Sequence, residues 1–208
     1  MNTEEQIKAI KQSFRLMMDG ATAQSLRQKG LEYRLNWGAT LPRLREKADE
    51  IKASGADLYE LAISLWKENV RECKILATMI MPPERILPEV VDIWMEQTTS
   101  LEIAEQAAFN LYQHLPYAAD KAFMWLASAD DLPQICGYHV LSRLYMNGHE
   151  PNERAINEFL DQALCALQSS NVSLRKAAMQ SVQHFADLGL VYERMARSAT
   201  RTIGLDFV

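Results

Sequence analysis

Apolar residues recur at three- and four-residue spacing along almost the whole chain, and capping or breaking residues interrupt that rhythm every few helical turns. A period near 3.6 builds helices with one apolar face, and a short helix must bury that face against a neighbour. This restricts the chain to architectures in which helices pack on helices. Eight glycines and seven prolines are few for 208 residues, and the supply of Ala, Leu, Met, Glu, Gln and Lys favours helix over strand.

The punctuation can be read segment by segment. Thr3 followed by Gln6 has the form of a capping box, and Ile7, Ile10, Phe14 and Leu16–Met17 extend an apolar stripe to a stop at Asp19–Gly20. A second helix is expected from about Thr22 to Lys29, stopped by Gly30, with Leu31 to Gly38 as an ordered connection. Thr40 and Pro42 start a third, whose Leu41, Leu44, Ala48 and Ile51 lead to Ser54–Gly55. Asp57 caps the stripe Leu58, Leu61, Ala62 and Leu65, and a further stripe through Ile75, Leu76, Met79 and Ile80 ends before Pro82–Pro83. Later helices are expected at about 87–97, 100–113, 117–128, 132–147, 152–168, 171–187 and 189–201, bounded by Pro88, Ser100, Pro116, Asp131, Gly148, Asn171 and Gly189.

Asn69–Met81, Ser100–Gln113, Asp131–Met146 and Asn171–Asp187 recur at roughly 30 to 40 residues, as helical hairpin repeats do. Short helices with short connections point to an all-α solenoid of HEAT-like antiparallel helix pairs, forming one domain over residues 1–208 with a concave surface. Hydrophobic residues at 48% and charged residues at 24% exclude disorder. The start of the chain is polar rather than signal-like, and no apolar run is long enough to span a membrane, so a cytoplasmic protein is expected. Cys73, Cys136 and Cys165 stand singly, which fits a reducing compartment and no disulfide framework.

A net charge of −5 has the wrong sign for a general nucleic-acid binder. Any such role must fall to local patches. One lies between Arg27 and Lys52 and includes Arg43 and Arg45; another comprises Arg175 and Lys176 near a helix start, with Arg194, Arg197 and Arg201 on one later face. Arg43, Arg45, Arg175, Lys176, Arg194 and Arg197 are therefore the candidates for holding DNA phosphates, against the plainer reading of solvated helix faces that complement the helix dipole. His114, His139, His149 and His184 sit on separate elements without ligand spacing, and no glycine-rich phosphate loop, dinucleotide fingerprint or nucleophile elbow occurs. Neither a metal nor a cofactor is expected. Of the four tryptophans, Trp66 continues an apolar stripe and reads as core, Trp37 lies in the connection near Tyr33, and Trp94 follows Val90, Val91 and Ile93 at the end of a helix.

The stretch from Leu31 to Pro83 carries a further signal, chiefly in LPRLREKADEI and LAISLWKENVRECKILATMI. It resembles the N-terminal half of the HEAT-like DNA alkylation repair proteins. The resemblance implies a concave surface lined with tryptophan and arginine, on which active members cleave the N-glycosidic bond of alkylated purines. It also implies a carboxylate, an Asp four positions after a Trp, that stabilises positive charge developing on the sugar. In this chain Trp94 fits the aromatic position and Thr98 stands where that acid belongs. The nearest acids are Asp92, Glu96 and Glu102, and Glu96 points to a different side of the helix from Thr98. A Trp–x–Arg–Arg style segment is replaced by Leu132 to Gly137, LPQICG. In a later helix Lys176 and Ala177 fit, while Gln180 and Gln183 occupy the aromatic and basic positions.

The candidate concave-face residues are accordingly Trp94, Thr98, Gln180 and Gln183. The leading expectation is a divergent or non-catalytic relative that binds duplex DNA or another partner on its concave face. A glycosylase for alkylated purines and a protein-interaction scaffold are the alternatives.

Overall fold

A computed structural model describes residues 2–28, 33 and 35–205. Those residues hold twelve α-helices and no strand, the one β-type bridge being Leu35 with Val70. The chain forms two compact units, Met1–Leu111 and Tyr112–Val208.

The first unit contains α1 (Thr3–Ser13), a 3₁₀ turn (Phe14–Met17), α2 (Gly20–Gln28), α3 (Leu41–Ala53), α4 (Leu58–Lys67), α5 (Arg71–Ile80), α6 (Pro88–Glu96) and α7 (Leu101–Asn110). Its start differs from the expected capping box by one residue. Asn2 is the cap: its side chain accepts from the Glu5 N–H at 2.8 Å, and the Glu5 carboxylate accepts from the Asn2 N–H at 3.1 Å. An Asn followed three residues later by Glu meets the same requirement and leaves Thr3 inside the helix. α2 begins at Gly20, ahead of the expected Thr22, because Asp19 accepts from the N–H groups of Ala21 and Thr22 at 3.0 and 3.1 Å. The expected stop at Gly30, together with Lys29, Leu31, Glu32 and Arg34, lies outside the described residues.

α5 is the centre of this unit. Every residue in it but Lys74 is buried, Cys73 included, and it packs against α3, α4 and α7. A helix apolar on nearly all sides is one surrounded by others. Its first turn is an exception in chemistry: the buried Arg71 donates through Nε and Nη2 to Glu102 on α7 at 2.9 and 2.7 Å, and through Nη1 to the Ala39 carbonyl at 2.9 Å.

The second unit contains a 3₁₀ turn (Tyr112–His114), α8 (Ala118–Leu126), α9 (Asp131–Met146), α10 (Glu153–Leu167), α11 (Val172–Ala186) and α12 (Leu190–Arg201). α9 lies between α8 and α11 and is buried from Ile135 to Ser142. Tyr138, Tyr145, Phe159, Phe185 and Tyr192 meet there in tilted and edge-to-face pairs 5.2 to 6.4 Å apart. Gly137 lets α8 and α9 approach closely. A Cβ added there would overlap the Leu126 side chain and lie 2.8 Å from the Ala122 carbonyl oxygen. Leu126 can turn aside, but the carbonyl belongs to a helix backbone. Gly137→Ala should therefore destabilise the protein by ~1–3 kcal/mol, outweighing the gain of about 1 kcal/mol in helix propensity. A urea unfolding midpoint at or above that of the parent protein would contradict this reading of the helix contact.

Candidate nucleic-acid interface

α6 ends in the segment that carries Trp94 and Thr98. Trp94 is 2% exposed, and its ring lies on that of Trp66 from α4, with centroids 4.2 Å apart and planes within 4° of parallel. The remaining face of Trp66 takes the Lys74 ammonium, 4.2 Å from the ring centroid. Burial pushes the Lys74 amine below its ordinary range, and the amine also donates to the Trp66 carbonyl at 3.1 Å. The Trp66 indole N–H donates to Gln97 at 2.9 Å. Both indoles are thereby committed to the interior of the first unit.

Thr98 follows α6 and is 7% exposed. Its hydroxyl donates to the carbonyl of Trp94 at 2.7 Å, the i−4 bond that mid-chain threonines make at helix ends. Such a hydroxyl is neutral and already engaged. Glu96 is exposed, and Glu102 is held by Arg71 and by the Tyr33 hydroxyl at 2.9 Å. Burial, then the charge of Glu102, pushes the half-buried Glu105 carboxyl above its usual range. Sequence reasoning missed Glu105; its depth depends on tertiary packing, for which one helix stripe holds no signal.

The basic residues separate into distinct settings. Arg43 and Arg45 are both exposed on α3, but two residues along a helix is a rotation of roughly 200°, so they occupy opposite flanks. Arg43 shares a small cleft of ≈ 200 Å³ with Glu46, Lys47 and Glu50, and Lys47 pairs with Glu50 at 2.7 Å. Arg175 is half-buried and donates to the Ser169 carbonyl, closing the turn before α11. It serves the backbone rather than a surface patch.

Lys176, Gln180 and Gln183 are all exposed at i, i+4 and i+7 on α11 and so form one solvent-facing row. On α12, Arg194, Arg197 and Arg201 are exposed. Arg197 pairs with Glu193 at 2.8 Å, whereas Arg194 and Arg201 form no ion pair among the described residues. Exposed Leu190, Val191 and Met195 lie beside this row, and its one carboxylate on α12, Glu193, is taken up by Arg197. Trp94 and Thr98 belong to the first unit, and Lys176, Gln180, Gln183 and the α12 arginines to the second.

Two histidines prove more deeply set than their scattered positions suggest. The Nδ1 of His184 on α11 lies 2.6 Å from the hydroxyl of Ser142, a buried residue in the middle of α9. Burial, with the Arg143 charge adding to it, lowers the His139 imidazole to about 4. Among the described residues no helix is long and apolar enough to cross a membrane, and no group of three His, Cys, Asp or Glu could hold a metal.

Comparison with known proteins bears on this arrangement. A solved structure resembles the chain with a TM-score of 0.82 at 19% sequence identity, covering 97% of this chain and 84% of that one. It is described as "a new family of proteins related to the HEAT-like repeat DNA glycosylases with affinity for branched DNA structures". At that identity the likeness carries the fold, which is the HEAT-like repeat helical one expected from the hairpin spacing. No curated protein matches the chain. The profile of the family described as DNA alkylation repair enzyme matches residues 10–187, from within α1 to the end of α11, leaving α12 outside the matched span. With that much of the chain matched and the fold shared, the protein belongs to the DNA alkylation repair enzyme family.

Proposed function

We propose that this protein is a family member without glycosylase chemistry that binds DNA, branched DNA in preference to linear duplex, through exposed cations on α11 and α12. One observation supports the loss of chemistry: Thr98, which the resemblance puts at the acid position, is buried and bonded to the backbone of Trp94. Cleaving an N-glycosidic bond places positive charge on the sugar, and a carboxylate stabilises that charge where a hydroxyl cannot. Trp94, stacked on Trp66, has no face to offer a flipped base.

Binding is supported by Lys176, Arg194 and Arg201, with Gln180 and Gln183 as neutral hydrogen-bonding groups beside Lys176. α12 lies outside the family match, so its part in binding rests on its own exposed arginines. The preference for branched DNA is drawn from the structural relative, whose description names that affinity.

Fluorescence anisotropy with a labelled four-way junction and a linear duplex of equal length tests the proposal. The junction should bind more tightly, and affinity should fall steeply with salt as counterions are released. Arg194→Glu with Arg201→Glu should weaken junction binding at least about tenfold. Salt-independent binding, or a charge-reversed protein that binds like its parent, would remove α12 from the interface. In parallel, duplex carrying N-methylpurines should release no base above a no-protein control; free base from the parent protein would restore the glycosylase reading.

The exposure of Leu190 at 72% and Val191 at 62% favours a second reading, a protein-interaction scaffold. A defined protein complex that survives nuclease treatment and is lost on Leu190→Ser would support it over DNA binding.

A further inference from the structure

α1 and the segment from Leu35 to Trp37 border a cleft of ≈ 540 Å³, wholly within the first unit and distinct from the α11 and α12 surfaces. That volume suits one small molecule or one monomer of a polymer. Ile7, Leu35 and Trp37 supply its apolar lining, and Lys8, Lys11 and Arg15 supply cations.

The lining is held in place by the backbone. The Asp19 N–H donates to the Trp37 carbonyl at 3.1 Å, and the Arg71 N–H donates to the Leu35 carbonyl at 3.2 Å. Gly38 follows Trp37 with φ +74°, and a Cβ there would overlap the Asp19 carbonyl oxygen, so the segment lies tightly against the start of α2. Trp37 is thus presented from a segment fixed on both sides. Trp37 is half-buried with its Nε1 closed to solvent, so what it offers the cleft is ring surface rather than a donor.

The cations line the cleft in chain order. Lys8 and Lys11 stand at i and i+3 on α1, and Arg15 follows in the 3₁₀ turn. Lys11 is taken by Glu68 at 2.8 Å. Lys8 and Arg15 are exposed without an ion pair among the described residues, roughly 11 Å apart along the chain at 1.5 Å per residue in α1 and about 2 Å in the 3₁₀ turn. That interval is too wide for one compact anion to satisfy both. Glu4 lies at the same cleft and would repel an anion placed at its end, which confines the favourable ground to the stretch from Lys8 to Arg15.

A ligand that matches must be flat where it meets the indole ring and bear negative charge at more than one point along its length. We propose that this cleft holds an unpaired nucleotide, with its base against Trp37, Leu35 and Ile7 and its flanking phosphates on Lys8 and Arg15. A paired base is excluded, because its faces and edges are already occupied within the duplex. Stacking on an aromatic side chain combined with cations that follow the backbone is the general solution for single strands. The chemistry is shared by a free nucleotide and by an unpaired strand end, and the experiment separates them.

The protein is produced with fluorotryptophan, so that its four tryptophans report by ¹⁹F NMR, and Trp37→Phe identifies the Trp37 line. Thymidine monophosphate, a short thymidine oligonucleotide and a blunt duplex are then added in turn. The Trp37 line should move with the oligonucleotide and not with the duplex, while the lines of the buried Trp66 and Trp94 stay in place. Lys8→Glu with Arg15→Glu, both at exposed sites, should weaken oligonucleotide binding at least about tenfold with an unchanged circular dichroism spectrum. Movement with the monophosphate as well assigns the site to a free nucleotide, and movement with the oligonucleotide alone assigns it to strand ends. A Trp37 line that neither ligand moves, or a charge-reversed protein that binds as the parent does, overturns the proposal. Arg194→Glu with Arg201→Glu should leave the Trp37 response intact, so failure at α12 and failure at this cleft are read separately.

Discussion

Arg71→Met should lower folding stability by ~3–5 kcal/mol, the range for removing one member of a buried ion pair and stranding its partners. Arg71 is 3% exposed and Glu72 is fully buried. The guanidinium grips Glu102 with two nitrogens and reaches Glu72 Oε1 at 3.2 Å and the Ala39 carbonyl at 2.9 Å, while Glu72 also accepts from the Ala39 N–H at 3.2 Å. Without the arginine, two carboxylates face each other across α5 and α7 with no cation between them. The arrangement is specific without being optimal, since Glu72 Oε2 has no hydrogen-bond partner among the described residues. Replacing all three side chains at once, Arg71→Met, Glu72→Leu and Glu102→Leu, should therefore recover much of the loss, because no buried charge is then stranded. Urea unfolding of the single and triple variants tests this. A single variant within about 1 kcal/mol of the parent would show that the pair is solvated in practice.

Acid should weaken the second unit before it weakens the first. His139 on α9 is held neutral by burial, with its imidazole lowered to about 4 from an ordinary 6.5. Between those values the unfolded chain binds a proton that the folded chain refuses. Its contribution is fully present above about pH 6.5 and is lost progressively as pH falls to about 4, amounting to as much as ~3 kcal/mol. Asp19 and Asp57, whose carboxyls are lowered chiefly by backbone hydrogen bonds, act below that window because their ordinary values are already 3.8. Glu105 acts in the opposite sense: its raised carboxyl is relieved as it protonates, which favours the fold as pH falls. The informative quantity is thus the difference between parent and His139→Gln in unfolding midpoint across pH 7 to 4. The parent should lose stability over that interval, and the variant should lack that component. Parallel curves would mean that His139 takes up its proton without opening the fold.

Much of the fold is legible along the chain because helix ends are local events. Asp57, Ser100 and Asn171 cap the helices that follow them through their own side chains. Asn2 instead of Thr3 is an error of one residue between two side chains that can both cap. The arginine pair at 43 and 45 could be separated from its spacing alone. What a stripe does not contain is the identity of the helix that will cover it. Trp94 meets Trp66 from 28 positions upstream, Ser142 meets His184 from 42 positions downstream, and Arg71 meets Glu102 across 31. Depth follows from those meetings, which is why Trp94 and Thr98 read as surface candidates along the sequence and lie buried in the fold. Arg175 reads as a surface cation along the sequence for a related reason: its turn carbonyl is a backbone partner, invisible to any pattern of side chains.

The three cysteines offer a way to time the opening of each unit. Cys165 is exposed, so a thiol reagent meets it at once, whereas Cys73 in α5 and Cys136 in α9 are buried. Burial also pushes the Cys73 thiol up to about 12, so little thiolate exists until the helix is released. Each buried thiol becomes reactive only through a fluctuation that exposes its own helix, and the two belong to different units. Labelling rates in the native protein, with Cys165 as an internal clock for reagent concentration, would then report two opening free energies from one unmodified chain.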